Sequence, residues 1–455
     1  MADMAIIGAG QAGTLAAVGL MRAGHQVTLY SDQTAESILN QTHPTGTAFI
    51  FGDGVAYERK HGVDTFEDRA LPADGIHLYF SPKVGQELVQ VSGLLDEGKG
   101  YAVDVRLKSK LRMDQLEAGG ARVVIEDVSP SRLDQIAREN DLTIVATGKG
   151  SLAAMFERDP VRSVYDQPQR YLAMVIVKDI PTDGTGFPNR LPGKTPVCFN
   201  FYGDIGEFFW VPYYHKTEGR CWNLVIEAKT GGPLDTYRDV TSAEQMLEAV
   251  REIVKRYARW DWETMKDMEL VDNDPLCWLR GAVPPTVRKP VAHTETGRAV
   301  WSLGDTSLAF DPIGGQGAGS GARQAGYYVD AIIERGGGPF DEVFMEATFE
   351  GFHGWHGGPA YNFNNVLLEP LDAIGKLVLI SAFGDQRAAT RFFEGFNRPW
   401  DLYPMLTDKA AARRWVSEAT GGSWRKANIK GMGKIIKGQL QQKTRGRHFV
   451  YDDSV

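Results

Sequence analysis

The residues whose types and spacing could do chemistry begin close to the start of the chain. Gly8-Ala9-Gly10-Gln11-Ala12-Gly13 is a complete GxGxxG. It follows the apolar run Ala5-Ile6-Ile7 and opens a helix pattern from Gln11 to Ala23 that Gly24 stops. Val27 to Tyr30 then reads as a second strand. Each glycine has a task in that setting. Gly8 permits the tight turn, Gly10 lets a pyrophosphate approach the backbone, and Gly13 lets helix and strand pack closely. The phosphates would meet the free N–H groups of Gln11, Ala12 and Gly13 at the helix N-terminus. Asp32, one place beyond Ser31 at the end of the second strand, is the candidate for the ribose; a plain turn residue is its rival.

A second glycine turn lies in the far half of the chain. Ala299 to Leu303 is an apolar strand leading into Gly304-Asp305. Asp311-Pro312-Ile313-Gly314-Gly315-Gln316-Gly317-Ala318-Gly319 follows, and then a helix pattern from Ala322 to Arg335. The arrangement, GD(x)₆PxGGQG, resembles that of the flavoprotein hydroxylases. Asp305 can accept hydrogen bonds from ribityl hydroxyls. The turn at Pro312, with Gly314, Gly315, Gln316 and Gly317, can aim N–H groups at the flavin pyrimidine edge, where the reduced ring is negative. Two such turns in this order favour FAD over a simple NAD site. Between them, Arg106 in Val103-Asp104-Val105-Arg106 stands where this superfamily keeps an arginine for the FAD phosphates; a salt bridge is the plainer reading. Arg122 to Val128 reads as the strand on which adenine rests.

Leu142 to Ala146 is a buried strand ending in Thr147-Gly148-Lys149-Gly150. NAD(P)H-using aromatic hydroxylases have Asp-Gly here. This chain has Thr147 and Gly148, and it lacks a second GxGxxG for a nicotinamide. Reduced flavin is therefore expected from elsewhere. Ala146-Thr147-Gly148-Lys149-Gly150, Phe156, Gln167-Pro168-Gln169-Arg170, Leu39-Asn40, Gly75-Ile76-His77 and Phe396-Asn397-Arg398-Pro399-Trp400-Asp401 carry a closer resemblance. Over residues 4–415 the chain is similar to the oxygenase components of styrene monooxygenases and their indole relatives.

That resemblance implies FAD used as FADH2, a separate NADH-dependent flavin reductase as partner, and O2 as co-substrate. A C4a-hydroperoxyflavin would pass one oxygen atom to an alkene or an indole double bond. Asn40 and His77 match pocket residues of the family and are the expected catalytic pair, although a turn residue and a core histidine are their plain rivals. Ile313 matches an apolar residue over the flavin, and Phe209 and Val211 are the expected pocket lining. The match departs from the styrene enzymes at Asp74, Pro44 and Gly100, which leaves the small aromatic substrate unnamed. Two other readings stay open: a self-sufficient NAD(P)H-dependent hydroxylase and a flavin-binding protein without catalysis.

The elements that must position these residues define an α/β fold. A discontinuous Rossmann-type FAD-binding domain (1–75, 101–165 and 291–412, the last with C-terminal helices) would carry an inserted antiparallel β-sheet substrate domain (76–100 and 166–290). From residue 413 onward the chain is basic, and a solvated, partly disordered tail is expected there in preference to a docking segment. Of the 455 residues 43% are hydrophobic and 24% charged, so a large core needs no covalent staples. The net charge of −8 disfavours nucleic acid. Cys198, Cys221 and Cys277 are scattered, and His353 and His356 lack a third ligand; disulfides and metal are not expected. No run of residues is long and apolar enough to span a membrane, and a cytoplasmic enzyme is expected, with homodimer formation left open.

Overall fold

The computed structural model describes residues 1–84, 89–187, 194 and 196–445. Asp3–Ile7 (β1) is buried at every residue but its first, as a central strand must be. The chain then makes α1 (Gln11–Arg22) and β2 (Gln26–Ser31), and β2 lies parallel to β1 with Met4 opposite Val27. Helix α2 (Ala35–Gln41) follows, capped by Thr34, whose hydroxyl accepts from the Ser37 N–H. Strands β3 (Gly75–Ser81) and β4 (Val89–Leu94) leave for a second sheet. Helix α3 (Val105–Ala118), β5 (Arg122–Ile125) and β6 (Leu142–Val145) return to the first.

The long strands β7 (Tyr171–Lys178), β8 (Pro196–Tyr202), β9 (Gly206–His215) and β10 (Gly219–Ala228) come next, with α4 (Ala243–Tyr257) packed behind them. Strands β11 (Val291–His293) and β12 (Ala299–Ser302) rejoin the first sheet and lead to α5 (Gly317–Arg335). The first sheet has the order β11-β12-β6-β1-β2-β5, parallel except for the β11–β12 pair. A parallel sheet with the glycine turn after its first strand is the Rossmann arrangement.

The second sheet runs β7-β10-β9-β8-β3-β4. It is not purely antiparallel as expected. Strand β3 lies parallel to β8, with Ile76 opposite Val197. The reason is connectivity: β3 reaches β8 from a remote part of the chain, and only neighbours joined by short turns are forced to run antiparallel. Its two faces do different work. Trp210 turns to the α4 side, where its indole N–H donates to Asp261 at 2.8 Å, while Phe209 and Val211 turn toward the segment Ile313–Gly315.

The basic C-terminal segment is a second correction. After α6 (Ala373–Gly384) it forms α7 (Lys409–Thr420) and α8 (Trp424–Arg445), and Trp415 and Ala427 are buried. Helix α8 packs on α6 through small residues. A Cβ on Gly384 would come within 2.0 Å of the Ala427 carbonyl, and one on Gly431 within 1.9 Å of the Ile380 carbonyl. This small-residue seam supplies packing that a count of lysines hides. Arg447 lies outside the described residues. No helix among the described residues is long and apolar enough to cross a membrane.

Candidate functional site

The two glycine turns meet. Gln11, the first residue of α1, donates from its side-chain amide to the Ala318 carbonyl in the first turn of α5, at 3.2 Å. The Gly148 N–H donates to the Thr306 hydroxyl at 2.8 Å, which ties the end of β6 to the turn after β12. Around this junction the backbone is shaped by glycine. Gly8 has φ +117°, and a Cβ there would lie 2.5 Å from the Ala146 carbonyl oxygen; one on Gly13 would lie 2.1 Å from the Gly8 carbonyl. Gly10 is different, because the space its Cβ would take has no atom within 4 Å. Neither α1 nor α5 has a side-chain cap at its N-terminus. Two uncapped helix ends side by side, with open space before one of them, form a cradle for anionic and acceptor groups.

The other residues expected at the cradle are distributed around it. Ser31 ends β2 beside the first turn, its hydroxyl donating to the Gln33 carbonyl at 2.6 Å, and Asp32 is exposed next to it. Val128 is buried. Thr147 is half-buried, and its enclosed hydroxyl has no hydrogen-bond partner among the described residues. Asp305 is open to solvent yet ringed by protein, which raises its carboxyl pKa against the pull of Arg288. Pro312 to Gly314 form one 3-10 turn, capped by Asp311, and Gly315 closes it with φ +62°. Asn364 clamps this turn, accepting from the Gly314 N–H at 2.8 Å. Gln316 donates to the carbonyls of Gly314 and Phe396, both at 2.9 Å, and Gly317 starts α5.

Arg106 stands elsewhere. It is buried, and its guanidinium holds Asp104 and Asp274, each at 2.7 Å, and the Thr42 carbonyl at 3.0 Å. Its donors are spent on two carboxylates, so the expected phosphate contact is corrected to a buried ion cluster that includes His215. Arg112, which the sequence reading passed over, is the arginine at the turn, donating to the Gln11 carbonyl at 3.0 Å and to Glu58 at 2.6 Å.

Between the Pro312 turn and the second sheet lies an apolar cavity, open on one side. Ile313, Gly314 and Gly315 form one wall; Phe199, Phe209 and Val211 face it from the sheet, and Phe51 and Phe396, ring neighbours 6.3 Å apart, add to the lining. Its walls are apolar, as those of a site for a small apolar molecule must be. Ile313, Phe209 and Val211 therefore come together as the sequence reading placed them, whereas Asn40 and His77 do not. Asn40 is exposed on α2, donating to Glu36 at 3.3 Å, because the helix runs on to Gln41 and sets position 40 one turn above position 36. His77 follows Ile76, which lines the cavity, so the strand's period of two turns the imidazole to the opposite face. There it is buried against Tyr79 and paired through Nδ1 with the Ser92 hydroxyl. Phe49, Phe51 and Phe396 were missed as lining. The alternating Phe49-Ile50-Phe51 and the Phe396-Asn397 run were the available signals.

Comparison with known proteins bears on this arrangement. Residues 148–263 match the family described as "Styrene monooxygenase A putative substrate binding domain". Styrene monooxygenase StyA of Pseudomonas fluorescens is 27% identical over 433 residues, covering 91% of this chain and 97% of the relative. The StyA of a second Pseudomonas is 27% identical over 431 residues, with the same coverage. Over most of its length the chain is similar to styrene monooxygenases. Its own sheet order and first glycine turn make it a Rossmann-type fold. Solved structures similar to this styrene monooxygenase-like chain include CmlS, a flavin-dependent halogenase (15% identity, TM-score 0.58, 97% of this chain and 78% of that one). A flavoprotein/dehydrogenase from Cytophaga hutchinsonii is similar too (14% identity, TM-score 0.59, 95% and 100%). These likenesses concern the fold.

Proposed function

We propose that the chain is the oxygenase half of a two-component system. It would take FADH2 from a separate NADH-dependent flavin reductase and insert one oxygen atom of O2 into the double bond of a small apolar aromatic of styrene or indole type. The observation that carries this reading is the cavity between the Ile313–Gly315 turn and the aromatic sheet face, beside the junction of two uncapped helix N-termini. The residues present fit FAD. Gly8, Gly10, Gln11, Ala12 and Gly13 would take the pyrophosphate, with Ser31, Asp32 and Val128 toward the adenosine. Thr147, Gly148 and Asp305 would meet the ribityl chain, and Gly314 to Gly317 the ring. When bound and reduced, the flavin supplies the activated oxygen. The protein's own part is orientation and exclusion of water: Phe199, Phe209 and Val211 hold a flat apolar substrate over the Ile313 turn, and no strong base is needed for oxygen transfer to a π bond. The lack of a nicotinamide-type glycine motif in the sequence supports the need for a reductase. On this reading residues 148–263 belong to the substrate-binding part.

The deciding assay combines purified protein, externally generated FADH2, ¹⁸O2, and a panel of styrenes, indoles and sulfides read by mass spectrometry. An epoxide or an indole oxidation product carrying one ¹⁸O is expected. Rapid bleaching of bound FAD by NAD(P)H alone would overturn the two-component reading, and FAD binding with no ¹⁸O product would overturn the enzymatic one. A Val211→Phe variant, which fills the cavity, is expected to raise KM for a bulky styrene by about tenfold or more, a cost of ~1.4 kcal/mol typical of overpacking.

A further inference from the structure

Strands β9 and β10 bring two glutamates face to face. Glu207 and Glu227 are directly opposite in register and neither is exposed. They share the sheet face that carries Phe209, because 207 and 209 on β9 are two apart. Like charges opposed across a ladder are unfavourable even at a surface, and here water is excluded. Among the described residues the counter-ion bonded to the cluster is Arg170, which donates through Nε to Glu207 at 2.5 Å and through Nη2 at 3.4 Å. Both carboxyl oxygens of Glu227 are buried without a hydrogen-bond partner among the described residues. Asp311, the residue that caps the 3-10 turn lining the cavity, is a third buried acid close enough to repel both glutamates.

The remaining neighbours offer little relief. Lys229, just beyond β10, spends its ammonium on the Gly203 carbonyl at 2.7 Å, and the Tyr237 hydroxyl donates to the Tyr171 carbonyl at 2.7 Å. One guanidinium cannot neutralise three carboxylates, and an ionised carboxylate with no partner in such a place is far costlier than a neutral acid.

We propose that Glu207 and Glu227 share a proton at neutral pH, as a carboxylic acid beside a carboxylate, and that with Arg170 this pair positions the Asp311–Gly315 turn against the cavity. The directions of titration agree. Burial raises all three, Glu227 well above its ordinary range, Glu207 to about 7 and Asp311 to about 6, and the charge of Asp311 adds to the rise at both glutamates. Loss of the shared proton at alkaline pH would leave extra negative charge under the turn. Glu227 is on this view a positioning residue, and its effect is felt through Asp311.

The proposal rests on the preceding reading only in its link to flavin, so two measurements are paired. Infrared difference spectra of the flavin-free full chain, wild type against Glu227→Gln at pH 7.5, are expected to show the C=O band of a protonated carboxylic acid in the wild type and not in the variant. FAD titrations between pH 6 and pH 9 are expected to give a Kd that weakens about tenfold in the wild type and less than about threefold in Glu227→Gln, whose amide stays neutral. Parallel pH slopes in the two proteins, or a wild-type spectrum without the acid band, would overturn the proposal. If Glu227→Gln fails to fold, disappearance of the acid band as the wild type is titrated to pH 9 is the same test, and a wild type without that band again overturns it. A wild type with the band and no affinity for FAD would sink the flavin reading while leaving the shared proton in place.

Discussion

The cradle and the cavity are built by different means, and the difference decides what a sequence discloses. At the cradle the backbone makes the shape. Gly8 and Gly13 are required because any Cβ would strike a carbonyl oxygen, so residue type and geometry are tied at each position. At the cavity, side chains make the shape, and which side chain points inward depends on strand phase and on where a helix ends. Ile76 and His77 are chain neighbours, yet one lines the cavity and the other lies behind the sheet.

The sharpest way to break that contrast is to add one methyl group at each of two glycines. Gly8→Ala is expected to destabilise the flavin-free protein by about 4 kcal/mol, from positive φ together with the clash at Ala146. Gly10→Ala meets open space at an extended backbone position. It is expected to leave thermal stability within about 0.5 kcal/mol of wild type while weakening FAD binding by about tenfold. Denaturant unfolding and FAD fluorescence titration separate the two effects. Equal losses of stability would mean that the space before Gly10 is not a binding space.

Arg106, expected at the cradle and found in a buried ion cluster outside it, gives the next largest effect. An arginine that bound phosphate would, when removed, lower FAD affinity and spare the flavin-free fold. The observed ion cluster predicts the reverse. Arg106→Ala strands Asp104 and Asp274 in the interior, with His215 and Lys216 as partial compensation, and is expected to cost about 3 kcal/mol in a melt without flavin. Against the pull of burial, Asp274 is held well below the usual carboxylate range by its hydrogen bonds to His215 and Arg106 and by the charges of Arg106 and Lys216. Its stabilisation is therefore complete above a pH of about 4, the unfolded value, and is lost as pH falls below it.

Arg106 also shows where legibility stops. The glycine turns, the parallel sheet and the inward-facing Ile313, Phe209 and Val211 could be read because local pattern and tertiary role coincide there. The partner of an arginine is a tertiary fact: Asp274 comes from a loop far along the chain, and nothing near Arg106 announces it. The C-terminal helices were hidden for a related reason. Their lysines dominate the composition, while the contact that orders them rests on Gly384, Ala427 and Gly431, residues that carry no hydrophobic signal.

The smallest expected effect tests the other half of the comparison. Asn40 resembles a pocket residue by its place in Leu39-Asn40, but its side chain is exposed and its hydrogen bond to Glu36 is an i,i+4 contact along α2. Such contacts contribute a few tenths of a kcal/mol. Asn40→Ala is therefore expected to change thermal stability by less than about 0.5 kcal/mol and turnover with supplied FADH2 by less than about twofold. A fall in turnover of tenfold with an unchanged melting temperature would mean that the end of α2 unwinds and enters the cavity once cofactor and substrate are bound. The catalytic wall would then be assembled by binding, while the cradle exists beforehand.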